Sequence, residues 1–568
     1  MPKMFSMCRS ALIGGLVWPL AGLAQDPGAY LAARVAAEDG NHPAAAVWFE
    51  RALQADANNP DLLEGAIIGN IAAGNFDKAE AAAQTMGALG LNGQPMYVAL
   101  LVAQVKAGDW DAVSKAGVDL PSVGALLQQL VLSWAELGRG NAQGALEGFG
   151  TVARTQGLEA FGRYHMALAR AAVGDMEGAE AIFADTDHPL ALTRRGVLAH
   201  VEILSQLDRK DEALALLRQS FAPTDPTVTT LSAALEAGET LPWDIARNPQ
   251  DGVAEVFYTI AAALQGEAGD TFTLLYGRVA TELRPDHAEA QMLVGGLLSQ
   301  QGQPDLALAA LDAVPETDPL WEAARIARGD ALFAADRDEE AVAVLADLAK
   351  ARPDALGPQV AYADALRRTE DYDAALPAYD RAIAIIGVPA AEYWPVLFSR
   401  GMVHERLGQD EEAERDMRGA LELQPGQPDV LNYLGYSLVE QGRELDEALG
   451  MIRDAVEARP DSAAIQDSLA WALFRLGRFD EAVAPIETAI LAEPTDPILT
   501  DHLGDIYWAV GRRSEARFQW RRALTFNPEP GEVERIQSKL ENGLDHVLIE
   551  EGEDDFAALL AAHGHDAH

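Results

Sequence analysis

"LGYSLVEQGRELDEALGMIRDAVEARPD", residues 434–461, decides the fold because its pattern returns three more times in the chain. It superimposes on 400–427, 469–496 and 503–530. The prolines near the ends of the four copies are 35, 34 and 34 residues apart, at Pro425, Pro460, Pro494 and Pro528. In each copy a glycine and a following alanine also recur 34 or 35 residues after those of the preceding copy. A fixed period of about 34 residues indicates an internal repeat.

Each copy is predicted to be a pair of helices. In the third copy, Leu469, Leu473 and Leu476 recur at helical spacing, which predicts an amphipathic first helix. Gly477 ends that helix, because glycine adopts the left-handed conformation at little cost. A second helix follows and ends before Pro494. Such a hairpin cannot bury its apolar face alone, so the copies must stack.

The pattern resembles the tetratricopeptide repeat (TPR). The resemblance is strongest in 400–530 and persists upstream with weaker matches, for example in 327–354 and 32–60. It implies about a dozen to fourteen hairpins over residues 28–530. The predicted fold class is therefore all-α, a TPR-type α-solenoid with a C-terminal capping helix. That capping helix would bury a stripe formed by Val533, Ile536, Leu540 and Leu544.

The chain is predicted to divide into six segments. The irregular joint is placed where prolines and polar residues break the repeat; one irregular hairpin inside a continuous array is the alternative. The segments are a signal peptide (1–24), a degenerate N-terminal TPR array (25–219), the joint (220–252), a C-terminal TPR array (253–530), the capping helix (531–547) and an acidic, His-containing tail (548–568).

The N-terminus has the pattern of an export signal. Lys3 and Arg9 precede a ten-residue apolar run at 11–20, and small residues then offer a cleavage site after Ala24. An uncleaved anchor or a chance apolar start are the alternatives. The lone cysteine, Cys8, lies ahead of the apolar run, so the lipid-bearing cysteine of a lipoprotein is not predicted. We expect a periplasmic protein with no transmembrane segment in the mature chain; peripheral association with the outer membrane stays open.

Composition and motifs argue against nucleic acid and against catalysis. With 88 Asp+Glu against 43 Lys+Arg the formal net charge is −45, which opposes binding to a phosphate backbone. Phosphate-binding loops, zinc-protease motifs and nucleophile elbows are missing from the sequence. We expect that the protein is not an enzyme and that it binds neither a cofactor nor a metal ion. The terminal histidines could hold a metal only weakly: His563, His565 and His568.

Protein binding is predicted in the groove lined by the first helices of the last repeats. Aromatic side chains alternate there with carboxylates, which suits a peptide that carries basic and apolar groups. The alternative is that each aromatic fills a gap between repeats. The predicted groove residues are Asn432, Tyr436, Asp467, Trp471, Phe474, Arg475, Asp501, Asp505 and Trp508. TPR co-chaperones that clamp acidic C-termini place basic or amide side chains at such positions, and only Asn432 matches.

Five arginines crowd the last repeat. Arg513, Arg517 and Arg521 are four residues apart and share one helix face, away from a buried Phe518 or Trp520. One interpretation is internal: the arginines offset the helix dipole and pair with Glu532, Glu534 or the acidic tail. A basic patch for a partner or an anionic headgroup is the second interpretation, and nucleic acid is a distant third.

As a whole the chain resembles exported TPR proteins of alphaproteobacteria, chiefly in residues 250–530. That group is distantly like the TPR lipoproteins that tether periplasmic C-terminal processing proteases and deliver cell-wall hydrolases to them. The resemblance implies a non-enzymatic envelope scaffold whose partners are such a protease or its hydrolase substrates. A scaffold for envelope polysaccharide or outer-membrane assembly is the second hypothesis. A cytoplasmic regulatory TPR protein is the third, if the N-terminus is not a signal.

Overall fold

The computed structural model describes residues 26–116, 124–188, 190, 193–222, 225–266, 270–388 and 390–566. Throughout those ranges the regular elements are helices, in agreement with the predicted all-α class. The predicted signal peptide, 1–24, lies outside the described residues, and so does His568. The chain divides into two compact units, Met1–Leu348 (the N-terminal unit) and Ala349–His568 (the C-terminal unit).

The N-terminal unit is built from helical hairpins, which an irregular segment at 237–248 interrupts. Its helices are α1 (Pro27–Glu38), α2 (His42–Ala55), α3 (Pro60–Ala72), α4 (Phe76–Ala88), α5 (Gln94–Lys106), α6 (Trp110–Ala116), α7 (Ala125–Gly138), α8 (Ala142–Ala153), α9 (Glu159–Ala172), α10 (Met176–Phe183), α11 (Arg194–Gln206), α12 (Lys210–Ser220), α13 (Pro226–Glu236), α14 (Pro249–Leu264), α15 (Asp270–Leu283), α16 (Ala288–Gln300), α17 (Pro304–Asp312), α18 (Trp321–Phe333) and α19 (Asp338–Ala351), whose last turn crosses the boundary.

The C-terminal unit continues with five hairpins and three closing helices. They are α20 (Leu356–Arg368), α21 (Tyr372–Ile386), α22 (Trp394–Arg406), α23 (Asp410–Leu423), α24 (Pro428–Glu440), α25 (Leu445–Ala458), α26 (Ala463–Arg475), α27 (Phe479–Ala492), α28 (Pro497–Ala509), α29 (Arg513–Ala523), α30 (Pro530–Asn542), α31 (Leu544–Glu550) and α32 (Asp554–Asp566). By chain order, the described helices before α30 fall into fourteen pairs, with α13 as an extra helix that packs on α12 between the pairs α11/α12 and α14/α15.

The turn residues behave as the repeat pattern predicts. Gly408, Gly442 and Gly477 have φ of +69°, +66° and +70°, the left-handed conformation that ends a first helix. The extra residue that lengthens one period falls at Glu444. Its backbone has the left-handed conformation, with φ of +47°, and it is the N-cap residue directly before α25. The small alanines of the second helices, such as Ala482, are completely buried where two helices approach closely.

The stretch at 220–252 is irregular, as its prolines and polar residues indicate. It holds the short helix α13 and then a segment without regular helix from 237 to 248. The whole stretch lies inside the N-terminal unit. The joint between two separate arrays stays a prediction.

The end of the chain folds back as three helices. The predicted capping helix corresponds to α30 and the first half of α31, and Ile536 and Leu544 of its apolar stripe are buried. The segment predicted as an acidic tail continues as helix, because Leu548, Ala557 and Leu560 give it an apolar face that is also buried. The cap of the last repeat is therefore longer than the sequence pattern suggests.

Candidate functional site

In the N-terminal unit, the face formed by the first helices of the hairpins is filled by the chain itself. Helices α14 and α15 pack along α3, α5, α7 and α9. Gly252 lies so close to Trp134 that an added Cβ would sit 2.3 Å from the indole ring. Arg278 donates to the carbonyl of Ala72 at 3.0 Å, although the two residues are 206 positions apart. That stretch of the first-helix face has no open groove for a partner.

A buried polar network locks α14 into this position. Arg195 of α11 donates to Glu255 of α14 at 2.8 Å and to Glu289 of α16 at 2.8 Å. Tyr164 of α9 donates to the same Glu255 at 2.8 Å, and His287 lies 3.3 Å from it. Burial would raise the pKa of Glu255, but Arg195 and His287 outweigh it and hold that pKa well below its ordinary value.

In the C-terminal unit, the closing helices cover part of the predicted groove. The Lys539 ammonium is completely buried and lies 2.6 Å from Asp501 and 2.7 Å from Asp505. Trp520 also donates to Asp505, at 2.8 Å. Burial raises the pKa of Asp501 above its ordinary value, against the opposing effect of Lys539. Asp501 and Asp505 therefore hold the cap in place and do not face an open groove.

Three further predicted groove residues contact the same closing helices. Trp508 donates to Asp545 at 3.1 Å, and Arg475 pairs with Glu553 at 2.6 Å. Phe474 is buried and meets the ring of Phe556 edge-on, with centroids 5.2 Å apart. For these residues the gap-filling alternative describes the structure better than exposure to a partner.

The other four predicted residues lie at or behind an open pocket between α24, α26 and the start of α28. The cavity measures about 290 Å³. Its lining includes Asn432, Tyr433, Tyr436, Asp467, Asp496 and His502. Trp471 lies behind it, stacked on His502 at 4.2 Å and donating to Glu440 at 2.6 Å. We name this cavity the α24/α26/α28 pocket.

An Asp–His pair forms one wall of the pocket. His502 Nδ1 lies 2.9 Å from Asp467 Oδ1 and 3.1 Å from Oδ2. Burial disfavours the charged imidazolium, but Asp467 and the nearby Asp501 and Asp505 outweigh burial and raise the pKa of His502 above its ordinary value. The His502 ring nitrogen is therefore a hydrogen-bond donor held beside the Asp467 carboxylate. The positive charge of a protonated His502 is largely balanced by Asp467.

Two polar groups of the opposite wall lack partners within the described residues. The Asn432 side-chain oxygen is buried and accepts no hydrogen bond. The Tyr436 hydroxyl makes no hydrogen bond within the same part of the chain, and burial, then Glu440 and Asp467, raise its pKa. A buried acceptor without a donor is costly, which makes this wall suited to a ligand that supplies donors.

The arginines of the last repeat are mostly used inside the chain. Arg513 and Arg517 lie over the ring of Trp508 at 4.8 and 5.6 Å, and Arg517 also donates to the carbonyl of Leu540. Arg512 pairs with Glu515 and Glu487. The sequence suggested Glu532 and Glu534 as partners of these arginines. Glu532 instead caps α30.

Two side chains on the outer face of α29 differ from this pattern. Arg521 is exposed. Trp520 is buried as expected, whereas Phe518 is 61% exposed because the outer side of this second helix has no neighbouring repeat to cover it. Residues 513, 517 and 521 thus do not form one free basic patch.

Sequence reasoning missed several residues of the site. His502 follows Asp501 directly and lies one helical turn from Asp505, but a single histidine in the sequence gives no signal of the pocket. Lys539 is a lone cation inside an apolar stripe, which is the signal that could have marked it as a buried ion-pair partner. Glu493 and Asp496 line the pocket from the turn before α28, and Ile498 lines it from the first turn of that helix; reasoning from the faces of the first helices does not consider these positions.

The described residues hold no group of three or more His, Cys, Asp or Glu side chains placed to bind a metal ion. They also contain no helix with the length and apolar character needed to cross a bilayer.

Comparison with known proteins places repeats of one family in the second half of the chain. The tetratricopeptide repeat model matches residues 297–356, 360–428 and 432–497. The TPR repeat-containing protein PA4667 of Pseudomonas aeruginosa is 28% identical over 156 residues, which is 27% of this chain and 26% of that protein. The match thus spans about a quarter of the relative's length.

Several solved structures are similar in helical arrangement. The APC/C hetero-tetramer Cut9-Hcn1 has a TM-score of 0.39 at 15% identity and covers 92% of this chain and 97% of its own. A tetratricopeptide repeat protein from Parabacteroides merdae has a TM-score of 0.38 at 17% identity, covering 45% and 99%. YrrB, a TPR protein with an unusual peptide-binding site, has a TM-score of 0.27 at 18% identity, covering 34% and 97%.

Proposed function

Because the chain is built of tetratricopeptide repeats, we propose that it is a non-enzymatic scaffold that binds a segment of a partner protein in the α24/α26/α28 pocket. One observation carries the proposal. Helices α14 and α15 cover α3, α5, α7 and α9 in the N-terminal unit, and α30–α32 cover the last repeat of the C-terminal unit, whereas the pocket between α24, α26 and α28 stays open.

The pocket has the size and lining of a recognition site for one or two side chains. Tyr433 and Tyr436 supply rigid aromatic walls, and Ile498 at its rim is 46% exposed. Aromatic side chains give large contact area at a low cost in conformational entropy, and they are common among residues that dominate binding energies. The polar groups around them can fix the orientation of a bound segment.

Blocking the pocket tests the proposal. Ala464 lines the cavity and is exposed, so Ala464→Trp should fill the space without disturbing the core. We expect a photo-cross-linking residue at position 498 to capture a partner in the cells that express the protein, and Ala464→Trp to reduce that product at least about tenfold. Quantitative mass spectrometry of the cross-linked product measures the change.

Ala458→Trp is the matched control, since Ala458 is exposed at the end of the second helix α25 and does not line the pocket. It should leave the cross-linked product unchanged. An equal yield from the parent chain and Ala464→Trp would show that the pocket is not the binding site.

We further propose that the partner belongs to the cell envelope, with a periplasmic C-terminal processing protease or its cell-wall hydrolase substrates as the first candidates. The support is the export-type pattern of residues 1–24 and the resemblance of residues 250–530 to exported TPR proteins, a group that is distantly like the protease adaptors. The identity of the protein cross-linked at position 498 decides among the hypotheses. A polysaccharide or outer-membrane assembly protein would favour the second hypothesis over the adaptor.

Export itself has a direct measurement. If the signal is cleaved after Ala24, mass spectrometry of the protein isolated from its source cells should find a mature N-terminus at Gln25. An intact N-terminal segment on the cytoplasmic fraction would remove the envelope hypothesis and favour the cytoplasmic regulatory protein.

A further inference from the structure

The walls of the α24/α26/α28 pocket have many hydrogen-bond acceptors and few free donors. Asp467, Glu493 and Asp496 contribute carboxylates, and Asn432 contributes a buried amide oxygen without a partner among the described residues. Asp496 uses one oxygen to cap α28 by accepting from Leu499 at 2.9 Å. Both oxygens of Asp467 lie against His502, whereas the second oxygen of Asp496 and the exposed Glu493 carboxylate remain for a ligand.

The donors of the same walls are already engaged. The Ser468 hydroxyl donates to the carbonyl of Ala464 at 3.0 Å, and the Tyr433 hydroxyl donates to Glu405 at 2.7 Å. His502 is committed to Asp467. A bound group that brought only acceptors would therefore find few donors here, with the Tyr436 hydroxyl the main exception.

The charge balance points in the same direction. His502 is the only basic side chain in the lining, which also holds the carboxylates of Asp467, Asp496 and the exposed Glu493. Arg475, the arginine at the end of α26, is paired with Glu553. A negative, acceptor-rich and partly desolvated cavity favours a cation that carries several N–H groups.

We propose that the pocket binds an arginine side chain of the partner segment, with an adjoining apolar residue against Ile498 and Leu499. This inference rests on the proposed function and specifies its ligand. A guanidinium carries five N–H donors in a plane, so it can serve several acceptors at once and stack on Tyr433 or Tyr436. A lysine offers a single point charge without the planar face and binds more weakly.

The opposite ligand chemistry is disfavoured by the same residues. An acidic C-terminus would bring two more acceptors and a negative charge against Asp467 and Asp496. Like charges brought together in this way cost binding free energy and reject the wrong partner. The pocket therefore selects for basic segments and against acidic ones.

A positional-scanning peptide library tests this with the full-length protein. Each pool fixes one central residue between five random residues on either side, and an added pool carries citrulline, the neutral isostere of arginine. We expect the arginine pool to be retained at least about tenfold above the citrulline pool, with lysine between them and aspartate and glutamate lowest. Retention equal for arginine and citrulline, or highest for an acidic or purely apolar residue, would overturn the proposal.

Conservative variants connect the preference to the pocket. Asp467→Asn combined with Glu493→Gln keeps the side-chain shapes, removes two charges and replaces one acceptor oxygen of each carboxylate with an NH2 donor. The double variant should abolish most of the preference for arginine over citrulline. Asp496→Asn preserves the helix cap, since asparagine caps as well as aspartate, and should weaken the preference further. Glu457→Gln, on the exposed side of α25, is the matched control and should change nothing.

The two proposals fail in different ways. If Ala464→Trp leaves partner capture intact, the pocket is not the binding site and the proposed function fails. If Ala464→Trp abolishes capture but the library shows no preference for arginine, the scaffold proposal stands and only the ligand assignment is wrong.

Discussion

Replacing Lys539 with methionine is expected to lower the free energy of unfolding of the C-terminal unit by about 3–5 kcal/mol. The ammonium is completely buried between Asp501 and Asp505, so its loss leaves buried carboxylates without their counter-charge. Arg535, 3.6 Å from Asp505, can compensate in part and sets the effect toward the lower end of that range. The substitution keeps the apolar stem, which separates lost charge from lost packing.

Hydrogen exchange on the full chain, read by mass spectrometry, measures this effect locally. We expect faster exchange in α28 and in α30–α32, because Lys539 joins the last repeat to its cap. Gln537→Met, on the exposed side of α30, is the matched control and should change stability by no more than about 0.5 kcal/mol. Pairing Lys539→Met with Asp505→Asn should recover part of the loss, since one buried charge is removed.

Protection of α28 and α30 that is unchanged in Lys539→Met would contradict the role assigned to this residue. It would mean that water or Arg535 neutralises the two carboxylates well enough on its own. In that case the cap would be held by the apolar contacts of Ile536 and Leu544 alone.

Replacing Arg195 with methionine should destabilise the N-terminal unit by a similar amount, about 3–5 kcal/mol. Arg195 is 5% exposed and is the cation shared by Glu255 and Glu289, which are themselves buried. Its guanidinium also donates to the carbonyl of Ile245 at 3.2 Å, which ties down the irregular segment before α14. Removing it leaves the two carboxylates without their shared cation, although Tyr164 still donates to Glu255 and Arg284 still donates to the Ile245 carbonyl.

The expected readout is faster hydrogen exchange in α14 and α15, the helices that fill the first-helix face. Arg218→Met serves as the control, because Arg218 and its partner Glu236 are both more than half exposed. Exposed pairs contribute about 0–1 kcal/mol, so this variant should remain close to the parent chain. Equal exchange rates for the two arginine variants would argue that the buried network does not hold α14 in place.

The same network gives a direction for the pH dependence. The pKa of Glu255 is lower in the folded state than its ordinary value of 4.5, so its contribution to stability is present above that value. As the pH falls below about 4.5, the unfolded state takes up the proton first and the contribution is lost. Arg195→Met should therefore flatten this acid-side loss as well as lower stability at neutral pH.

Local features of the fold could be predicted from residues that lie close together in the chain. The left-handed glycines, the buried alanines of the second helices and the extra residue at Glu444 follow from the repeat, because turn conformation and close helix approach depend on neighbours within one hairpin. The candidate site was only partly predictable. Asn432, Tyr436 and Asp467 are among the predicted groove residues and line the pocket. The prediction does not include His502 and Glu493, because they reach the cavity from the next helix and from the turn before it.

What covers each helix face could not be predicted from the repeat. Phe474, Asp505 and Trp508 occupy groove positions by sequence, yet α30–α32 return to cover them. Arg278 bonds to Ala72 across more than two hundred residues, and Gly252 makes room for Trp134 at a distance that no local pattern signals. These contacts join chain segments that are far apart in the sequence and are neighbours only in the tertiary structure.

The amino-acid sequence by itself determined that this chain is a stack of helical hairpins, because a 34-residue period, a helix-ending glycine and a buried alanine are local requirements of one repeating unit. Only the tertiary structure decided which groove positions remain open. The physical reason is that an apolar face is stabilised by whichever surface covers it. The covering helices here come from distant parts of the same chain, and they leave the acidic α24/α26/α28 pocket open.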